Sequence, residues 1–169
     1  MTSPLGTKTF ATPSGTVTAT TQTVDPVPQE IDAVAVAQIK EFEELALACW
    51  DFVSAYSGVK HTLSLESLDE SFRAWQIESS RQYSDQRVVL MLGAYLGQRL
   101  TNDLDMEWVT VVDEFGTDYA VRSRRWEVLS FPFTAVSKRI ENCQCDFMVS
   151  VYHTVSHTLT NGNHMPRRT

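Results

Sequence analysis

Cys143 and Cys145 stand a few residues ahead of His153 and His157, and together they are the chain's gathering of soft metal ligands. Thiolate and imidazole suit zinc. The two histidines are four apart, so they share one face of a helix. The spacing nevertheless works against a joint site. His153 lies eight residues beyond Cys145, about 12 Å along a helix. The C-x-C spacing is also tighter than that of usual zinc pairs. With Asp146 and Ser150 nearby, the histidines read as a solvated face, and no metal or cofactor is expected. As nucleophiles, Cys143 and Cys145 would need a helix N-terminus to lower their thiol pKa. No signature names a base or an oxyanion hole for them.

Carboxylates form the next group. Asp103, Asp105, Glu107, Asp113, Glu114 and Asp118 crowd one region. Paired carboxylates can move protons or hold a hard cation. Here the glycine and distal glutamate of a calcium loop are missing, and hairpin ends are ordinarily acidic. The third constellation is basic. Arg122, Arg124 and Arg125 lead into Trp126, a combination able to grip an anion or stack on a ring. It is the candidate partner-binding patch; a solvated strand end or internal ion pairs would look the same in sequence.

The elements that must position these residues follow from periodicity. Residues 1–29 are rich in Thr, Pro and Ser with one aromatic, Phe10. They read as a flexible tail, with Thr16 to Val24 able to add to a sheet edge. A single domain is expected over 30–162, with 163–169 frayed. Its first helix should start near Pro28 to Ile31 and end by Gly58, burying Phe42, Cys49, Phe52 and Val53 on one stripe. A second helix is expected over Ser64 to Ser80 and a third over Asp85 to Leu100, the latter capped by Ser84. The third is apolar nearly all round from Val88 to Leu96, so neighbours must cover it on several sides. Gly93 and Gly97 share a face of it. Glycine costs about 1 kcal/mol against alanine inside a helix, so close approach of another backbone is the expected compensation.

Strands follow from Glu107 to Val112 and from Thr117 to Arg122, joined by a turn at Gly116. A third is expected over Arg125 to Phe131. Pro132 then starts a helix, with Ser130 as its cap, and a final helix covers Cys145 to Leu159. The fold class is therefore α+β, with about three antiparallel strands packed by about five helices and a disordered N-terminal tail.

The ordered set LGAYLG at Leu92 to Gly97, Trp108 with Val109, DEFG at Asp113 to Gly116, FPF at Phe131 to Phe133 and VSKRIE at Val136 to Glu141 resembles a bacterial family. It is number 3806 in the domain-of-unknown-function series. The resemblance covers the second half of the chain. It implies a small bacterial α+β domain and carries over no activity.

A net charge of −7 argues against nucleic acid and anionic membrane as partners. The longest uncharged apolar-rich run, Val88 to Gly97, falls short of the ~20 residues a spanning helix needs. Residues 1–25 lack an apolar h-region, and three cysteines do not make a disulfide framework. These observations place the protein in the cytoplasm. Nothing assembles into a site with named chemical roles, so the expected function is a non-enzymatic protein-interaction module with an unknown protein partner, compatible with a homodimer. One alternative is an immunity-type protein that neutralises a basic toxin. Another is a small enzyme using the 103–118 carboxylates or Cys143/Cys145.

Overall fold

A computed structural model describes residues 6–12, 15–21, 29–57 and 63–161. The helical core is organised on α4 (Asp85–Asp103). Val88, Met91, Leu92, Ala94, Leu96 and Leu100 are all fully buried. Ser84 caps the helix by accepting a hydrogen bond from the Arg87 N–H at 3.3 Å. Continuous apolar sequence thus yields a rod covered on several sides, as its pattern requires.

Downstream of α4 the chain forms β4 (Met106–Asp113) and β5 (Gly116–Ser123), paired antiparallel from Met106 with Ser123 to Asp113 with Gly116. Gly116 takes a φ of 132°, which allows the tight turn. Residues alternate between faces. Trp108 and Tyr119 point to the helices, where they meet Phe42 at 4.7 and 5.0 Å between ring centroids. Phe133 completes this aromatic group, 5.3 Å from Phe42 and 5.7 Å from Trp108. The opposite face carries a second, smaller cluster of Val109, Val111 and Ala120 flanked by Ile31, Leu129 and Phe131.

Several boundaries differ from those the sequence suggests. Glu30–Ala33 is not helix but an edge strand, β3, paired with Val112 to Val109 of β4. Ile31 fits a helical stripe and a strand equally well. The β-branched edge of β4 and the cluster containing Val111 settle the choice, because a helix there would leave both uncovered. The first helix begins at Val36 and divides at Ala48 into α1 (Val36–Leu47) and α2 (Cys49–Tyr56). The backbone bonds from Ala48 to Glu44 and from Phe52 to Ala48 carry it across the joint. Gly58, the suggested cap, lies outside the described residues. The helix after it, α3 (Leu65–Ile77), opens with a reciprocal cap in which Ser64 and Ser67 exchange hydrogen bonds at 2.9 and 3.2 Å.

The expected strand over Arg125 to Phe131 shrinks to β6 (Leu129–Ser130). The buried Ser123 hydroxyl accepts from the N–H groups of Arg125 and Trp126, which turns the chain away from the ladder. The sheet order is β3-β4-β5-β6. Phe131, not Ser130, occupies the N-cap of α5 (Pro132–Glu141), without a side-chain cap bond. The last helix, α6 (Met148–Asn161), starts later than Cys145. Cys143 and Asp146 have φ of 50° and 58°, and right-handed helix cannot pass through such residues. Within the segment 1–29, β1 (Gly6–Thr12) and β2 (Gly15–Thr21) pair with each other as a separate two-stranded sheet. Residues 163–169, expected to fray, lie outside the described residues.

Candidate functional site

The basic patch is drawn into the fold by its own counter-ions. Arg122 on β5 meets Glu107 on β4 at 3.0 Å, as their register pairing dictates. Arg124 reaches Asp105 and Glu107 at 3.7 Å each, and Arg125 reaches Asp105 at 3.1 Å. The three arginines and two carboxylates form one network at one end of the β4–β5 ladder. Trp126 sits half-buried between two shallow grooves. One, of about 410 Å³, runs along Ile31, Arg122, Val128 and Leu129. The other, of about 290 Å³, lies between Asp105, Arg125, Ser156 and Leu159. The Arg122 Nε is buried without a partner.

The carboxylates do not converge. Asp103 pairs with Arg99 at 2.7 Å and accepts from the Tyr152 hydroxyl at 3.1 Å. Burial and this carboxylate together hold the Tyr152 pKa up. Asp105 and Glu107 belong to the arginine network. Asp113 accepts from the Phe115 N–H at the turn, and Asp118 accepts from the Thr134 hydroxyl at 2.6 Å. Asp105 and Asp113 thus flank opposite ends of the ladder, about 26 Å apart at strand rise. These five are used in local structure, and Glu114 is exposed at the turn.

For Cys49 and Cys145 burial outweighs the nearby arginines that would activate a thiol. Cys49 is fully buried in the core, and burial drives its pKa far up. The Cys145 thiol donates to the Gln76 Oε1 at 2.8 Å, and its pKa is likewise raised by burial. Cys143 is exposed. The α6 N-terminus that would favour a thiolate is already occupied. The Asp69 carboxylate accepts from the N–H groups of Phe147, Met148 and Val149 at 3.0, 2.8 and 3.1 Å. His153 and His157 are exposed on α6. Among the described residues no three His, Cys, Asp or Glu side chains are grouped closely enough to hold a metal ion.

The glycines of α4 admit two different neighbours. A Cβ on Gly93 would lie 2.9 Å from the Phe133 Cα, so helix α5 passes directly over that residue. At Gly97 the Cβ would enter the Trp108 ring. Here a side chain, not backbone, fills the notch.

Outside these networks lie the exposed Ile77 at the end of α3, Phe115 at the β4–β5 turn and the outer face of α1 and α2. Val36, Leu47 and Trp50 are 72%, 65% and 41% exposed. Helical spacing places Lys40, Glu43, Glu44 and Asp51 among them, all exposed. Phe42, Ala46, Cys49 and Val53 are buried on the inner side. The face spans about 21 Å from Val36 to Trp50 at helical rise, with Lys40 and Glu43 between Val36 and Leu47. No motif marks it. Leu47 and Trp50 read in sequence as breaks in an otherwise polar face, and that break was the available signal.

The model of a domain of unknown function, DUF3806, matches residues 66–152, just over half of the chain. The chain belongs to the DUF3806 family. A solved structure from Bacteroides thetaiotaomicron VPI-5482, at 1.50 Å resolution, superposes with a TM-score of 0.59 at 16% identity, covering 81% of this chain and 51% of that one. At that identity the likeness concerns the fold alone, and this chain spans about half the length of that protein. No curated protein matches the chain. The DUF3806 match runs from α3 into α6 and takes in α4, the β4–β5 ladder and the arginine network. The α1–α2 face lies outside it. Among the described residues no helix is long and apolar enough to cross a membrane.

Proposed function

We propose that the protein is a non-enzymatic interaction module that docks a protein partner through the outer face of α1 and α2. The observation that supports this is the exposure of Val36, Leu47 and Trp50 in one stripe on a helix pair whose other side is sealed into the core. Large apolar side chains in register at an accessible surface are what an interface uses as anchors, and tryptophan is enriched among the residues that dominate binding. The reactive groups read from the sequence are engaged elsewhere: the arginines with Asp105 and Glu107, the α6 N-terminus with Asp69. Neutralisation of a basic toxin is the narrower form of the same reading. It needs the same face and adds a demand on the partner's charge. Cytoplasmic placement, where the exposed Cys143 stays a thiol, belongs to this proposal.

The test is affinity purification from the native host with the wild-type chain and the Leu47→Ser/Trp50→Ser variant, quantified by mass spectrometry. A stoichiometric partner should be retained by the wild type and depleted from the variant at least tenfold. Equal retention by both chains, with both folded by circular dichroism, sinks the assignment to this face.

A further inference from the structure

We infer that the β1–β2 hairpin is a strap that docks one of its faces on the outer surface of the four-stranded sheet and covers Val109, Val111 and Ala120. These three are 1%, 2% and 0% exposed. Val109 and Ala120 directly follow Trp108 and Tyr119 along β4 and β5, so they stand on the face turned away from the helices. Their apolar neighbours there are Ile31, Leu129 and Phe131, which belong to the sheet or directly follow β6. Strand side chains rise roughly perpendicular to a sheet. Neighbours in the same sheet close off the flanks of a valine, but its outer end needs a layer above it. Among the described residues no helix joins this cluster beyond Phe131 at the start of α5. An apolar sheet face is closed by a second layer of secondary structure.

The hairpin has the pattern, the length and the reach for that layer. Its register gathers Phe10, Val17 and Ala19 with Lys8 on one face, while the opposite face is threonine apart from Ala11. Each of its strands has seven residues and β4 has eight, about 23 Å against about 26 Å at strand rise. Thr21 and Glu30 are nine residues apart, a reach of up to about 30 Å. Packed sheets stand about 10 Å apart, so the connection from the hairpin to β3 spans the step with length to spare. Other segments offer less. Residues 58–62 and 162–169 hold one large apolar residue each, Val59 and Met165. A lone two-stranded hairpin is marginal in water, and resting its Phe10 face on the sheet resolves both deficits at once. The contact depends on few large side chains, so the strap lifts without the helical core following. Ile31 and Leu129 also line the groove of about 410 Å³ beside Trp126. Lifting the strap therefore joins that groove to the sheet face.

The test is methyl NMR on the full chain. Nuclear Overhauser contacts should link the Val17 methyls to those of Val109 or Val111. Phe10→Ser should abolish these contacts, shift the methyl signals of Val109, Val111 and Ala120, and raise the fluorescence of a dye that reports exposed apolar surface. Signals from α4 should stay in place. Thr9→Ser/Thr18→Ser, on the opposite face of the hairpin, should leave contacts and shifts unchanged. The wild-type contacts decide the matter without any variant: their absence overturns the strap, and contacts from Val109 or Val111 to another segment name a different cover. Contacts seen only between labelled and unlabelled chains overturn it too, because a second copy would then be the occupant. Equal perturbation by Phe10→Ser and by the threonine pair, or none by either, overturns the choice of docking face.

Discussion

Helices α4 and α6 both pack on α3 or its neighbours, yet they are held by different physics. Helix α4 is fixed by apolar contact on several sides, with six of its apolar residues fully buried. Among the residues of α6 only Met148 is buried. Tyr152, Val155 and Leu159 are only half-covered. What α6 has instead is one carboxylate. Asp69, itself 6% exposed, reaches from α3 to three N–H groups at the start of α6 and completes hydrogen bonds the helix cannot make internally. Apolar burial is distributed and has no direction. A carboxylate at a helix N-terminus is a single directed point, favoured also by the helix dipole. The first arrangement tolerates no local loosening. The second allows α6 to open without the core following.

The largest effect should come from cutting α4. Leu96→Ala removes buried methyls from a site with no freedom to collapse and should cost about 3–4 kcal/mol. The thermal midpoint should fall by roughly 10 °C for a domain of this size, with the loss spread over the whole cooperative unit. A cost below 1 kcal/mol would mean α4 is not the packed centre. Asp69→Ala should cost less, about 2–3 kcal/mol, because it strands N–H groups at a half-buried helix end. Its distinguishing mark is where the damage falls. Native-state hydrogen exchange should show α6 amides losing protection while those of α4 keep theirs. Equal losses in both helices would erase the distinction between them.

The distributed half of this contrast was readable in sequence and the directed half was not. The unbroken apolar run from Val88 to Leu96, the Ser84 cap and the Gly93/Gly97 face all state in advance that α4 is enclosed. The DUF3806 resemblance rests on the same stretch. The role of Asp69 has no sequence signature, since its partners at Phe147, Met148 and Val149 lie about 80 residues away and donate from backbone. The partners of the arginine patch are hidden in sequence for a similar reason. Arg122 and Glu107 are fifteen residues apart, and only the β4–β5 register shows that they face each other. β3 was hidden because Ile31 satisfies a period of 3.6 and a period of 2 alike. The α1–α2 face was legible only as a mismatch, Leu47 and Trp50 standing where polar residues belong.

The smallest expected effect, and the sharpest on mechanism, is the pH dependence contributed by Asp69. Burial raises its pKa above the usual carboxylate value and is the largest influence; the three N–H groups pull it down, and the nearby Asp146 adds to the rise. A raised folded-state pKa means the folded protein holds this proton more tightly than the unfolded chain does. The Asp69 contribution to stability is therefore fully present below the ordinary carboxylate range and is lost as pH rises through the raised value. Carboxylates with no electrostatic coupling to Asp69 titrate in the same experiment. They are common to wild type and Asp69→Asn, so they cancel in the difference between the two. Urea midpoints measured from about pH 3.5 to pH 7, on either side of a carboxylate's usual range, should give a wild-type-minus-variant difference that declines with pH. A difference that climbs instead would show that the N–H groups outweigh burial, and that α6 is held more firmly at neutral pH than in acid.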